Sequence, residues 1–181
     1  MQPRRMMGPM LKRTYDDQVC SLARTLEVVG ERWTLLIVRD TLTTGASRFD
    51  DFLERLDIAR NVLTDRLRGL VEHGVMERVR YQERPERFEY RLTAKGMELA
   101  TAVVALMTWG DRHLAGPEGP PRLIEHSGCG GRVSARLVCQ TCDQMLDSVT
   151  TRPGPGARSR DSRVAGRAKR SPTTAGRRLS P

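Results

Sequence analysis

Apolar positions along the chain recur first at helical spacing and later in alternation. From about residue 19 to 29, Leu22, Leu26 and Val29 share one helical face, with Asp16 or Asp17 near its start and Gly30 at its end. A second helix is predicted over roughly 32–42, with Trp33, Leu36 and Ile37 inward, and Gly45 breaks it. Ser47-Arg48-Phe49-Asp50 has the S-x-x-D look of a capped start, and Phe49, Phe52, Leu53 and Leu56 supply the apolar face of a short helix. Asp57-Ile58 then leads tightly into IARNVLTDRLRGLVEHGVMERV (58–79). There Leu63, Leu67, Leu70 and Val71 fall at i, i+4, i+7 and i+8 until Gly74 stops the helix.

Beyond Gly74 the period becomes two. Val75, Glu77, Val79 and Tyr81 alternate with Met76, Arg78, Arg80 and Gln82, and Phe88, Tyr90 and Leu92 alternate with Arg87, Glu89 and Arg91. With Glu83-Arg84-Pro85-Glu86 as the turn, this is a two-stranded hairpin. Thr93 suits the N-cap of a long helix to about residue 114, with Leu99, Ala102, Val103, Leu106 and Trp109 on one stripe. The predicted organisation is a flexible N-terminus (1–16), a helical domain (17–115), a Gly/Pro linker (116–122), a small Cys/His segment (123–149) and a disordered basic tail (150–181).

Two close-set helices, the second basic, make a helix-turn-helix, and the hairpin and long helix after them complete a winged one. The fold class expected is therefore mainly α with a small β-hairpin wing. The buried stripe anchors the basic helix and leaves Arg60, Asn61, Thr64, Asp65 and Arg68 outward near its N-terminal half. Helix N-termini favour phosphate, and Arg and Asn make bidentate contacts to guanine and adenine edges. Arg84 and Arg87 stand at the hairpin tip, where a wing meets the DNA backbone or a minor groove.

Charge adds less than the net +9 of the 181-residue chain suggests. From Arg152 onward nine Lys/Arg face only Asp161, so the tail carries +8 and the first 151 residues +1. A specific DNA site must then be local, while the tail adds salt-screened attraction to phosphate or merely solubilises the chain. Aromatics are only 4% of residues, too few to spare for a base-stacking platform. No secretory leader is expected, and the longest apolar run, AVVALM (102–107), is too short to span a bilayer. A cytoplasmic address and no membrane partner follow. Met6, Met7 and Met10 leave the start codon open.

The segments CSLARTLEVVGERWTLLIVRDTL, ARNVLTDRLRGLVEHGVMERV and ERPERFEYRLTAKG, with the later Trp109-Gly110, resemble the HxlR-type transcriptional regulators over about residues 19–114. The resemblance implies a winged helix-turn-helix homodimer built through the first and last helices. It gives major-groove recognition of double-stranded DNA to Arg60, Asn61, Thr64 and Arg66, and a wing role to Arg87. Arg66 has other candidate partners, a phosphate or an acid such as Glu54. The chain departs from the family at Ala59, where many members place a helix-capping Ser. Some HxlR-type proteins sense oxidants or electrophiles through a cysteine that matches Cys20; the alternative is a small buried hydrophobe.

His126-x2-Cys129-x9-Cys139-x2-Cys142 has the spacing of a small zinc ribbon, two chelating pairs separated by Gly130-Gly131 and the strand-like RVSARLV. One structural zinc ion is the cofactor expected, against a thiol/disulfide element or a metal-free remnant. Asp143 stands where knuckles commonly carry Gly. A zinc deaminase would need H-x-E and P-C-x-x-C; His126-Ser127-Gly128 and Val138 before Cys139 supply neither. With no Ser/His/Asp set or phosphate loop, no enzyme is expected. The reading is a sequence-specific, homodimeric transcriptional regulator in which Cys20 is the candidate sensor of an unidentified effector. The alternative is a nonspecific or architectural nucleic-acid binder dominated by ribbon and tail.

Overall fold

The computed structural model describes residues 20–146 together with 150, 154 and 155. The expected N-terminal segment, the Asp16 or Asp17 cap and nearly all of the basic tail lie outside the described residues. Four helices come first: α1 (Ser21–Val29), α2 (Thr34–Thr44), α3 (Phe49–Leu56) and α4 (Arg60–Glu72). An antiparallel hairpin of β1 (Met76–Gln82) and β2 (Arg87–Leu92) follows, then α5 (Ala94–Met97) and α6 (Ala100–His113). The order is that of a winged helix-turn-helix.

The core joins α2, α3, α4, the base of the hairpin and α6. Ile37, Val38, Phe52, Leu63 and Leu67 are fully buried, and Leu70, Val75, Met76 and Val103 nearly so. Each such side chain contributes about 1.5–3 kcal/mol on leaving water, which is what holds α4 to the bundle. Three of the four residues in the predicted α4 stripe are buried, Val71 being half-buried.

Helix ends follow local chemistry. α3 begins one residue later than the S-x-x-D pattern suggested: Arg48 is the N-cap, and Asp51 Oδ2 accepts from the Arg48 and Ser47 backbone N–H groups at 3.0 and 3.4 Å. Asp57 (φ 47°) turns the chain out of α3, and Gly74 (φ 66°) turns it out of α4. At these two left-handed residues the helix–turn–helix and the helix–wing junctions are made.

The single long helix expected after Thr93 is two. Thr93 Oγ1 accepts from Gly96 N at 3.1 Å and donates to Gly74 O at 2.7 Å, and Lys95 Nζ donates to His73 O at 2.7 Å. A Cβ on Gly96 would lie 2.1 Å from Val75 O, so this turn is pressed against the start of the wing. The Leu99 N–H then bonds to Gly96 O at 3.1 Å, a tightened turn that separates α5 from α6.

Two apolar stripes stay open in the single chain. Leu22 and Leu26, placed on one face of α1, are 65% and 40% exposed, and Leu106 and Trp109 on the α6 stripe are 56% and 51% exposed. Local periodicity identifies an apolar face without naming what covers it. From 114 to 146 the chain has no helix or strand among the described residues, only isolated bridges, so RVSARLV does not form the strand expected of it.

Candidate nucleic-acid interface

α4 presents three exposed polar side chains at its N-terminal end, Arg60, Asn61 and Thr64. Its N-cap is Ala59, extended at φ −64° and ψ 138°, with no side-chain bond to the helix start. The first helical bond is Leu63 N–H to Ala59 O at 3.0 Å, which leaves the N–H groups of Arg60, Asn61 and Val62 without an intrahelical acceptor. The helix therefore offers bare donors and the positive end of its dipole at the place where Arg60 and Asn61 project.

The arginines differ in how they are held. Arg60 lies over the Phe49 ring (5.4 Å to its centroid) and its Nη2 is 3.4 Å from Asp50 Oδ1, both partners being largely exposed. A pair so exposed is worth about 0–1 kcal/mol, so Arg60 can leave it for another acceptor. Arg68 is exposed and paired within its own helix to Asp65 at 2.7 Å and Glu72 at 3.9 Å. Thr64 Oγ1 donates to Arg60 O at 2.8 Å and keeps acceptor capacity outward.

Arg66 is held differently from Arg60. At about 100° per residue it lies on the opposite flank of the buried stripe from Arg60. Its guanidinium reaches Glu31 in the α1–α2 turn, at 3.4 Å, rather than the suggested Glu54. Its Nε is buried with no hydrogen-bond partner. This pair links α4 to the α1–α2 turn, and the exposed polar set near the start of α4 is Arg60, Asn61, Thr64 and Arg68 beside Asp65.

The wing stands beside α3. Tyr90 N–H donates to Ser47 O at 2.7 Å, and Arg48 bridges Glu89, so the segment before α3 pairs with β2. Register shifts between Arg80 and Gln82, bulging Tyr81 out under the guanidinium of Arg48, 4.7 Å from the ring centroid. Arg80 is paired with Glu83 at 3.8 Å and Glu86 at 3.4 Å, whereas Arg84 and Arg87 at the tip are exposed and have no ion pair among the described residues. Arg48 was not singled out from the sequence. It sits between cap and wing, and only the pairing of distant segments brings it beside Tyr81.

Cys20 is exposed and is itself the N-cap of α1, its carbonyl accepting from Arg24 N–H at 3.1 Å. It therefore lies one position before the first turn in which it was expected, with its side chain exposed in the single chain.

The Cys/His residues form two pairs. His126 Nδ1 is 3.3 Å from Cys129 Sγ, and the Cys139 sulfur accepts from the backbone N–H groups of Thr141 and Cys142, which hold its thiol below the ordinary range. All four cysteines are free. Among the described residues no three metal-ligating side chains converge on one point. No helix among them is long and apolar enough to cross a membrane.

Comparison with known proteins agrees with this geometry. Residues 28–117 match the family model described as HxlR-like helix-turn-helix. Over 142 residues the chain is 47% identical to the uncharacterized HTH-type transcriptional regulator Rv3095 of Mycobacterium tuberculosis, covering 77% of this chain and 89% of that one. The crystal structure of PA1607, described as a proposed transcription factor, superposes with a TM-score of 0.69 at 36% identity, over 77% of this chain and 97% of that chain. That of PA1374 from Pseudomonas aeruginosa gives 0.56 at 39% identity, over 80% and 99%. The chain belongs to the HxlR-like helix-turn-helix family and is a DNA-binding transcriptional regulator of the HxlR type.

Proposed function

We propose that the chain reads a specific duplex sequence as a homodimer, with the N-terminal half of α4 in the major groove. The observation that carries this is the contrast along one helix: Leu63, Leu67 and Leu70 lock α4 into the core while Arg60, Asn61 and Thr64 stay exposed at its uncapped end. In this reading Arg60 and Asn61 contact base edges, and the bare N–H groups take a phosphate. Arg68 reaches the backbone once it exchanges Asp65 for a phosphate, and Arg84 and Arg87 lie along the adjacent backbone.

The open faces of α1 and α6, with Leu22, Leu26, Leu106 and Trp109, suit a twofold contact with a second copy. Two copies then present two α4 helices to half-sites about one helical turn apart, roughly 34–36 Å. Cys20, exposed at the start of α1, is the proposed sensor of an oxidant or electrophile, because a change there acts on the dimer face. The protein works by binding in the cytoplasm and performs no catalysis.

Selection of bound duplexes from a random library by the full, reduced chain tests the reading. An enriched inverted repeat is the expected result. Recovery of unenriched sequence, with binding that disappears when the chain is cut at Thr151, would replace it with the nonspecific, tail-driven alternative.

A further inference from the structure

The two Cys/His pairs are carried on the same backbone device, repeated. Call the first ligand of each pair i, which is His126 in one and Cys139 in the other. In both, the N–H of i donates to the carbonyl of i+5: His126 to Gly131 at 2.8 Å, Cys139 to Gln144 at 3.0 Å. In both, the N–H of i+4 returns to the carbonyl of i: Gly130 to His126 at 2.8 Å, Asp143 to Cys139 at 2.9 Å. In both, residue i+4 is left-handed, Gly130 at φ 69° and Asp143 at φ 55°. In both, residues i−1 and i+6 form an antiparallel bridge, Glu125 with Arg132 and Val138 with Met145. Asp143, a non-glycine at the position where knuckles commonly carry Gly, adopts the conformation that position requires.

A turn built twice to this pattern, each time around ligands three apart, needs an explanation that packing does not supply. Among its described residues the segment has no apolar core: Leu123, Val133, Leu137, Val138 and Met145 are all exposed. Its bonds instead hold side chains in place. Ligands on tetrahedral zinc at about 2.3 Å for sulfur and 2.1 Å for nitrogen lie about 3.6 Å apart. His126 Nδ1 and Cys129 Sγ are already 3.3 Å apart. Two glycines make room for this pair. A Cβ on Gly128 would stand 2.9 Å from His126 Cε1, and one on Gly131 would stand 3.3 Å from Cys129 Sγ.

We propose that His126 Nδ1 and the thiolates of Cys129, Cys139 and Cys142 together hold one structural zinc ion that closes the two knuckles onto each other. The cited backbone bonds of each knuckle lie within it, and the chain between them contains no helix or strand, so the knuckles approach without breaking those bonds. On binding, three thiol protons pass to solvent and the imidazole binds neutral, leaving a closed shell with a single net negative charge. No ligand position remains for water, so the site is structural.

The test uses the full chain, purified reduced from zinc-supplemented medium. Elemental analysis is expected to find about one zinc per chain. Replacing either pair, His126→Ala with Cys129→Ser or Cys139→Ser with Cys142→Ser, is expected to abolish it. Native alkylation gives a second readout that needs no variant: the zinc-loaded chain reacts at Cys20 alone, and chelation exposes the other three thiols. Cobalt titration of the metal-stripped chain should give thiolate charge-transfer absorption and the visible bands of a tetrahedral ion. Zinc far below one per chain, metal that survives loss of either pair, or full alkylation of the loaded chain would each overturn the proposal.

Discussion

Ala59→Ser should stabilise the protein, and the reason lies in a comparison within the molecule. Ala59 caps α4 in extended conformation with three helical N–H groups beyond it lacking an intrahelical acceptor. Thr93 caps α5 in a related conformation, φ −76° and ψ 174°, and its hydroxyl accepts from Gly96 N three residues on at 3.1 Å. A serine hydroxyl at 59 has the same acceptor role open to it toward Asn61 or Val62. Ala59 is exposed, so the added oxygen displaces nothing in the core. Restoring such a cap is worth about 1 kcal/mol, within a range of roughly 0.5–2 kcal/mol. For a domain of this size each kcal/mol moves Tm by about 4–8 °C. Thermal unfolding followed by far-UV circular dichroism, without DNA, reads the difference directly. An unchanged or lower Tm in the Ser variant would show that those N–H groups are already satisfied, and would remove the argument that the start of α4 is held open for phosphate.

Other substitutions separate the remaining assignments. Arg60→Ala should cost about 1–3 kcal/mol of discrimination at one base pair of the selected site, whereas Arg66→Met should leave affinity and specificity unchanged in binding titrations, because its pair with Glu31 is internal to the fold. Equal losses for both would return Arg66 to the interface. Leu106→Glu, on the open face of α6, should convert the dimer to a folded monomer in analytical ultracentrifugation; a dimer that persists would move the interface elsewhere. Cys20→Ser should keep the protein on its operator at oxidant doses that release the parent, and release of both at the same dose would end the sensor assignment.

How far the fold could be read in advance depended on the range of the interactions. The α4 stripe and the hairpin rest on local patterns, the helical spacing of Leu63, Leu67 and Leu70 and the alternation on either side of the 83–86 turn, and those were enough to find them. The direction of Arg66 was not legible, since its partner Glu31 belongs to a turn two helices earlier. The break between α5 and α6 was hidden for a similar reason: Gly96 reads as a mild helix weakness until Val75 O is seen against it. Leu22, Leu26, Leu106 and Trp109 announced apolar faces correctly while leaving open whether the cover was this chain or another. The Cys/His spacing was legible as two pairs. That both pairs sit on one repeated turn was not, because Gly130 and Asp143 look unlike in sequence and become equivalent only through their left-handed backbone.

The central claim is that α4 reads sequence from its anchored, outward N-terminal half. Fluorescence anisotropy tests it most directly, with the reduced full chain, a labelled duplex from upstream of its own gene, near-physiological salt and excess scrambled competitor. The account predicts binding that survives the competitor in the parent chain and is lost in Arg60→Ala. Parent binding that the competitor removes, on that duplex and on duplexes recovered by selection alike, would contradict it.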